Sequence, residues 1–262
     1  MKLTVLASGS GGNASLLEIG DKTLLIDAGI SYRQLITRLR EVGKELVALD
    51  YVFLTHEHSD HIVGLLTIQN KFRPRIYLTK GTYVNLPIRI KDNLDKTLLN
   101  FVSYKQMLAF SGFSVLPFMS FHDALEPCGY RFNEQDKSFV YLTDTGYFPD
   151  QGFPEIKNAD LYMLESNHEP ELLLESDRPW LLKKRILDDQ GHLSNEDSAY
   201  LVTNILGDKT KTIVLAHLSE ECNTIDTALE TYRKVFDERG IDYHKYTIIC
   251  AYQDQPLTEI LI

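Results

Sequence analysis

The chain has 262 residues, of which 44% are hydrophobic and 24% charged, and this composition predicts one globular domain that spans residues 1–262. It contains no run of about 18 apolar residues, no signal peptide and no Cys-x-x-Cys pattern, so we expect a soluble cytoplasmic protein without a membrane partner. Its 27 basic and 37 acidic residues give a net charge of −10, which means that a polyanion would need a local basic patch or bound cations to approach.

The N-terminal region is rich in predicted strands. The runs KLTVLA, ASLLEI and KTLLIDAG are separated by a Gly-Ser turn at 8–13 and by a Gly-Asp turn at 20–21. A helix is then predicted over YRQLITRLREV, because Ser31 can cap it, Gly43 can end it, and its apolar residues recur at helical spacing. The strand DYVFLT and a further helix around residues 62–68 follow, with a loop between them that carries three histidines.

A second β-rich block is predicted over NFVSY, FSVLPF, GYRFN and SFVYLTD. After it, the strands DLYMLE and KTIVLAH alternate with helices at about 180–189, 194–206 and 224–239. Both halves of the chain therefore pass from sheet to helix. This order favours two sheets packed face to face with helices outside both, and a single doubly wound sheet is the alternative.

The segment FLTHEHSDHIVG places three histidines and two acidic residues directly after an apolar strand. Side chains alternate along a strand, so His56 and His58 can project toward one point, and Asp60 and His61 can reach a second point from the start of the next helix. Imidazole and carboxylate groups are the usual non-thiolate ligands of zinc and similar ions. The pattern predicts two divalent metal ions that activate water for hydrolysis, whereas the alternative is a polar loop with surface histidines.

Three further candidate ligands stand where other β-rich runs end. They are His122 in SFHDAL, Asp144 in LTDTG and His217 in LAHLS. Each has an ordinary alternative as a loop histidine, a turn former or a core histidine. Together they supply the remaining ligands that two ions need, since a pair of ions takes about seven protein ligands.

These motifs resemble those of the metallo-β-lactamase fold hydrolases, which carry His-x-His-x-Asp-His followed by His, Asp and His at successive strand ends. SGSGGNAS, LLIDAGIS, ESNHE, LKKRI, GHLSN and LAHLSEECNT resemble, in order and spacing, the YycJ (WalJ) group of that superfamily. The sequence departs from the group at Cys222, where Asn is expected, and at Glu169, where Asp is more common. Neither position is an expected metal ligand.

The resemblance implies a four-layer αββα sandwich with the site at its open edge. It implies that His56, His58 and His122 hold one ion, that Asp60, His61 and His217 hold the other, and that Asp144 bridges them. The ions would be Zn, Mn or Fe. Asp27 in LLIDAG resembles the buried aspartate that orients this loop, and its alternative is a strand-end turn residue.

His192 in GHLS competes with His217 in AHLS for the last metal ligand. We choose His217, because it ends an apolar strand, and we expect His192, together with Asp60, to act in catalysis, with His192 as the general acid. Ser194 and Asp197 resemble a capping box that opens the following helix. Ser10, Asn13 and His168 are expected to contact substrate; the alternatives are a simple hairpin turn for Ser10 and Asn13 and a surface histidine at a helix start for His168. Ser10 and Asn13 belong to a Gly-rich turn that lacks the Gly-Lys-Ser/Thr ending of a phosphate loop.

The resemblance implies hydrolysis of phosphodiester bonds in DNA, with exonuclease action as the expected form. A cyclic phosphodiesterase of the PhnP kind, a thioesterase and a non-catalytic regulatory protein stabilised by metal are the alternatives. The sequence favours no particular oligomeric state. Local positive charge comes from three clusters, and clusters of this kind are more often solvated faces than grooves. They are Arg33, Arg38, Arg40 and Lys44; Lys71, Arg73, Arg75 and Lys80; Arg178, Lys183, Lys184 and Arg185.

Overall fold

The computed structural model describes all residues from Met1 to Ile262 and contains two seven-stranded sheets. The first sheet has the order β14-β1-β2-β3-β4-β5-β6 and the second the order β13-β12-β11-β10-β9-β8-β7. The strands are β1 Lys2–Ala7, β2 Ala14–Ile19, β3 Lys22–Ile26, β4 Tyr51–Phe53, β5 Arg75–Thr79, β6 Leu99–Val102, β7 Leu108–Ala109, β8 Ser114–Met119, β9 Cys128–Glu134, β10 Lys137–Leu142, β11 Leu161–Glu165, β12 Thr212–Ala216, β13 Thr247–Cys250 and β14 Ile260–Leu261.

Ten α-helices connect and cover the strands. They are α1 Tyr32–Glu41, α2 Ser59–Ile62, α3 Leu65–Phe72, α4 Lys80–Asn85, α5 Ile88–Lys91, α6 Phe153–Ile156, α7 Pro170–Glu175, α8 Trp180–Ile186, α9 Asn195–Ile205 and α10 Ile225–Glu238. Short 3-10 turns lie at Lys96–Leu98, Asp150–Gly152 and Tyr243–Lys245. None of the helices combines the length and the apolarity that crossing a membrane requires.

Three separate apolar cores define four layers. One core lies between the sheets and joins residues such as Val5 and Phe53 of the first sheet to Phe132 and Met163 of the second. A second core packs α9 and α10 on the outer face of the second sheet, and a third packs α1 and α3 on the outer face of the first. The predicted αββα sandwich is therefore confirmed, and the single doubly wound sheet is wrong.

Two details differ from the sequence-based prediction. The run NFVSY opens the predicted second β-rich block, but the strand that it forms, β6, pairs in parallel with β5 and ends the first sheet. The helix expected around 62–68 is two helices, α2 and α3, that meet at Gly64. At Gly64 the chain passes so close to the preceding loop that an added Cβ would lie 2.3 Å from the Ile30 carbonyl oxygen.

In each sheet one half is antiparallel and the other half is parallel. The parallel half of the first sheet runs from β3 to β6, and that of the second runs from β10 to β13. The carboxyl ends of parallel strands share one edge of a sheet, so residues that directly follow β3, β4, β10, β11 and β12 gather there. All strand-end candidates but His122, which follows the antiparallel strand β8, belong to this set.

Candidate metal centre

Three predicted ligands form one group of imidazoles. The ring centroids of His56 and His58 are 4.6 Å apart, and each lies 5.0 Å from the centroid of His122. The His122 Nε2 and His58 Nδ1 atoms are 3.2 Å apart. His56 and His122 are buried and His58 is half-buried. One ligand atom from each ring is within 4.8 Å of the other two, which is the spacing at which three side chains can share one cation.

A second group surrounds Asp144. Its Oδ2 atom lies 3.3 Å from Nε2 of His61, and its Oδ1 atom lies 3.3 Å from Nδ1 of His217. Asp60 contributes a carboxylate oxygen 3.4 Å from Nε2 of His61. The structure thus brings all seven predicted ligands to one edge of the sandwich. Asp144 also lies 4.0 Å from His122 Nε2, so it stands between the two groups.

The unsatisfied polar atoms of the site fit divalent cations. His56 Nε2, Asp144 Oδ2 and His217 Nε2 are buried and have no hydrogen-bond partner, although most buried polar atoms in folded proteins have one. Burial, aided by the neighbouring His61, holds the pKa of His56 well below its usual value, which leaves a neutral imidazole that can coordinate. A cluster of nitrogen and carboxylate donors without thiolate suits zinc, manganese or iron.

Asp27 orients His61. Its Oδ2 atom is 2.8 Å from Nδ1 of His61, and its Oδ1 atom accepts a hydrogen bond of 2.8 Å from the Thr55 backbone N–H. The carboxylate is fully buried. It thereby fixes both the ring of His61 and the backbone before His56, and it turns Nε2 of His61 toward Asp60 and Asp144. This arrangement agrees with the role predicted for Asp27.

Glu165 is a site residue that the sequence analysis missed. It ends β11 and is fully buried, and its Oε1 atom lies 2.7 Å from Nδ1 of His192 and 2.8 Å from Nδ1 of His217. Its Oε2 atom accepts a hydrogen bond from the Thr145 backbone N–H. Both oxygens are therefore engaged, and Glu165 acts on the centre by holding Nδ1 of the two histidines, which leaves their Nε2 atoms free. Its sequence signal was the same as that of Asp144, an acidic residue directly after an apolar strand.

Neighbouring histidines keep the carboxylates of Asp144 and Glu165 ionised. Burial alone would raise the pKa of Asp144, but His217 and His61 hold it well below its usual value. Burial likewise opposes ionisation of Glu165, yet His192 and His217 lower its pKa to about 2. For His217, burial would lower the pKa, whereas Asp144 and Glu165 raise it to about 9. The metal-free centre is therefore a network of carboxylates and imidazolium groups in which a cation would replace protons.

Three site residues adopt a left-handed backbone. Asp27, Asp144 and His217 have φ values of 59°, 56° and 56°, respectively, and each lies just past the end of a strand. This conformation is uncommon outside glycine and costs of order 1 kcal/mol at a position without compensation. It turns each side chain away from the strand direction, and the hydrogen bonds of the site offset its cost.

The three residues that we expect to contact substrate lie in different environments. Ser10 is exposed at the rim of the site, as a substrate contact requires. Asn13 is fully buried, and its side-chain nitrogen lies 3.0 Å from His61 Nε2 and 3.3 Å from Asp60 Oδ2, so it supports the centre rather than meeting substrate. His168 is 1% exposed and neither ring nitrogen has a partner, so the structure contradicts a direct substrate contact there too.

A family model for the β-lactamase superfamily domain matches residues 22–218 of the chain. The chain belongs to the β-lactamase superfamily. The superfamily match includes every candidate ligand from His56 to His217, together with Asp27, Glu165 and His192. This confirms the resemblance seen in the motifs.

Two similar proteins share almost their full length with this superfamily member. "Exodeoxyribonuclease WalJ" of Streptococcus pneumoniae is 38% identical over 264 residues, which cover 99% of this chain and 98% of WalJ. "Exodeoxyribonuclease YycJ" of Bacillus anthracis is 35% identical over 92% of this chain and 90% of its own. Among solved structures, the metallo-β-lactamase fold protein YhfI of Bacillus subtilis superposes with a TM-score of 0.72 at 19% identity, covering 99% of both chains, which shows the shared fold.

Proposed function

We propose that the protein is a metal-dependent DNA exonuclease that hydrolyses phosphodiester bonds. The observation that carries this proposal is the convergence of three groups of possible metal ligands, two of which share Asp144. They are His56, His58 and His122; His56, His61 and Asp144; and Asp144, Glu165, His192 and His217. The full-length similarity to two proteins named exodeoxyribonucleases supports DNA as the substrate class. We also propose that it acts in the cytoplasm, because its cysteines follow no pairing pattern.

Two divalent ions, which we propose to be Zn, Mn or Fe, would occupy the two groups. His56, His58 and His122 would hold one ion, Asp60, His61 and His217 the other, and Asp144 would contact both. When bound, the ions would supply water activation near neutral pH and neutralise charge on the phosphate. The nitrogen and carboxylate-oxygen ligands of the chain determine which ions fit. Asp27 and Glu165 keep the coordinating nitrogens of His61 and His217 aimed inward.

His192 is placed to transfer the proton that the leaving oxygen needs. Its Nδ1 atom is held 2.7 Å from Glu165, and its side chain retains 13% exposure, so Nε2 is the nitrogen left to meet a substrate. Glu165 stabilises the protonated ring, as a carboxylate does for any imidazolium that it contacts. The Nε2 atom of His192 then donates the proton to the 3′ or 5′ oxygen that departs.

The acidic net charge of −10 is compatible with a DNA substrate because two basic residues, Arg178 before α8 and Arg185 on it, line one pocket with His192. Arg185 on α8 pairs with Asp123, whose carboxylate lies 3.3 Å from Nε2 of His122. Positive charge therefore reaches the edge of the centre, although the rest of the surface repels a polyanion.

The test is digestion of end-labelled duplex and single-stranded DNA by protein supplemented with each of the three ions, with elemental analysis of the purified protein. We expect cleavage from ends by the wild type and a loss of at least about 100-fold in His58→Ala, which removes one ligand. His244→Ala is the matched control, because His244 is exposed and lies outside the site. Activity on cyclic nucleotides or thioesters with none on DNA would favour the small-molecule hydrolases instead, and full activity of His58→Ala would leave a non-catalytic metal site.

A further inference from the structure

A second pocket adjoins the metal centre on the side of His192. It has a volume of about 360 Å³ and lies between α8 and the loops that follow β1, β11 and β12. His192 lines it, and the Nδ1 atom of His192 is 3.9 Å from Asp144. The other lining residues are Ser10, Asn167, Arg178, Leu182, Arg185, Ile186, Ser219 and Glu221. None of these is a proposed metal ligand, so the pocket is a separate element of the site.

The pocket holds an excess of free hydrogen-bond donors. Arg178 uses only Nε, which donates to Glu221 over 2.8 Å, so both of its terminal amino groups are available. Arg185 donates Nε and one amino group to Asp123 and retains the other amino group. Ser10, which is exposed and also lines the pocket, adds a hydroxyl. These groups offer several donors to a ligand that carries many acceptor oxygens.

The acidic partners do not cancel this positive character. The carboxylate of Glu221 is 67% exposed, and an ion pair with so exposed a partner is worth little in water. It can yield Arg178 to a more strongly charged anion. Asp123 lies on the side of His58 and His122 and does not line the pocket. Glu221 is therefore the one acidic residue of the pocket lining.

We infer that this pocket binds the terminal phosphate of a DNA strand and thereby selects strand ends for cleavage. The inference rests on the proposed nuclease function and adds its substrate feature. A terminal phosphomonoester carries a second negative charge and a third free oxygen that an internal phosphodiester lacks. A terminal phosphate can therefore accept more hydrogen bonds than an internal phosphodiester, which has only two free oxygens. Two guanidinium groups and a hydroxyl supply enough donors to use that larger number of acceptors.

The position of the pocket links this recognition to cleavage. Gly191 donates its backbone N–H to the Asp188 carbonyl, and His192 donates its own to the Ile186 carbonyl at the end of α8. The loop that carries His192 is therefore fixed on the helix that bears Arg185. A phosphate bound in the pocket would place the next phosphodiester along the strand toward the metal centre.

The experiment compares duplexes whose labelled strand ends in a 5′-phosphate, a 5′-hydroxyl, a 3′-phosphate or a 3′-hydroxyl. We expect the wild type to favour one phosphate-bearing end over its hydroxyl counterpart by at least about tenfold in kcat/KM. Arg178→Gln should bring that ratio close to one, and Arg178→Lys, which keeps the charge, should retain part of it. Lys184→Gln is the matched control, because Lys184 lies on α8 outside the pocket lining and carries the same charge.

Each outcome separates the inference from the proposed function. Cleavage at equal rates from all four ends, or an undiminished ratio in a folded Arg178→Gln, would overturn the phosphate pocket and leave the nuclease standing. Equal loss of the ratio in Lys184→Gln would reduce the effect to general surface charge and overturn it as well. Binding of the four oligonucleotides in chelator, measured by fluorescence anisotropy, gives the same comparison without turnover. If no duplex is cleaved, the nuclease function fails, and the anisotropy ratio alone decides the pocket.

Discussion

Glu165 determines which nitrogen of two histidines faces the metal centre, because its carboxylate holds Nδ1 of both His192 and His217. We predict that Glu165→Gln lowers kcat/KM on DNA by about 10- to 100-fold, the usual cost of losing a partner that orients a ligand. The amide also cannot accept a hydrogen bond from both imidazoles as the carboxylate does, so the affinity of the centre for metal should fall as well.

Glu169→Gln is the control for that prediction. Glu169 bonds to Asn195 and Thr231 but touches no residue of the centre. Metal content and kcat/KM should therefore stay as in the wild type. A Glu165→Gln protein with unaltered kcat/KM and unaltered metal affinity would show that the carboxylate has no role in orientation.

His168 makes a separate prediction about pH and stability. Burial lowers its pKa to about 4 from 6.5, and neither ring nitrogen has a partner. The unfolded chain therefore takes up the proton first, so this contribution to stability is complete above pH 6.5 and is lost as the pH falls toward 4. Over that window the free energy of unfolding of the metal-free protein should fall by roughly 3 kcal/mol on account of this one residue.

Urea denaturation of wild type and His168→Gln between pH 7 and pH 4 measures this effect. Other buried histidines titrate in both proteins, so the difference between the two curves isolates His168. Glu165 affects stability only at lower pH. Its pKa is about 2 in the folded protein, so the stability that its ionised carboxylate contributes is lost only as the pH falls below its ordinary value of 4.5. Parallel curves for the two proteins would mean that His168 is protonated or solvated in the folded state.

Single residues were predictable where the local pattern identified both the residue type and its place at a strand end. This sufficed for His122, Asp144 and His217. It did not separate Asp144, which we propose as a ligand, from a carboxylate that contacts two imidazoles, which is why Glu165 was missed. Its partners lie 27 and 52 positions further along the chain, and only tertiary packing brings them together. The misassigned His168 follows from the same cause, since burial is not visible in the sequence ESNHE.

At the level of elements, the N-cap of α9 joins helix stability to the site. Ser194 accepts a hydrogen bond of 3.0 Å from the Asp197 backbone N–H, as the sequence predicted. The same residue ends the loop that carries His192. We predict that Ser194→Ala lowers the free energy of unfolding by about 1 kcal/mol and also lowers kcat, because the loop is freed together with the cap.

Ser31→Ala separates the two effects. Ser31 caps α1 with a comparable hydrogen bond to the Gln34 backbone N–H and reciprocal bonding by the Gln34 side chain, and no site residue lies on α1. Denaturant titration should give both variants a loss of about 1 kcal/mol, while only Ser194→Ala loses turnover. Equal activities would show that the loop of His192 does not depend on the cap.

Elements followed from sequence wherever the apolar period was clear. Helices predicted at 180–189, 194–206 and 224–239 are observed at Trp180–Ile186, Asn195–Ile205 and Ile225–Glu238. Strand partners were less accessible, since β6 joins the first sheet through a parallel pairing with β5 that no local pattern encodes. The break between α2 and α3 at Gly64 was not predicted for the same reason, because it depends on the close approach of the loop at Ile30.

At the scale of the whole molecule, the proposed ligands come from both sheets. The loop after β4 in the first sheet supplies His56 to His61, whereas the second sheet supplies the others through the ends of β8, β10 and β12. Cations at the centre would therefore join the two halves of the sandwich as well as serve chemistry. Without the ions, this edge would be held only by direct contacts between the two halves, such as that of His61 with Asp144.

Metal removal should therefore destabilise the entire chain and not only abolish activity. With free metal at about 100 times its dissociation constant, each site that binds only the folded protein adds about 3 kcal/mol of stability. Calorimetry of the wild type should show one cooperative transition, in keeping with the single domain that we propose, and chelation should shift it to lower temperature. His58→Ala should show a smaller shift on chelation because one site is already weakened. A transition that ignores chelator, in protein whose metal content is verified, would mean that the ions bind without linking the two sheets.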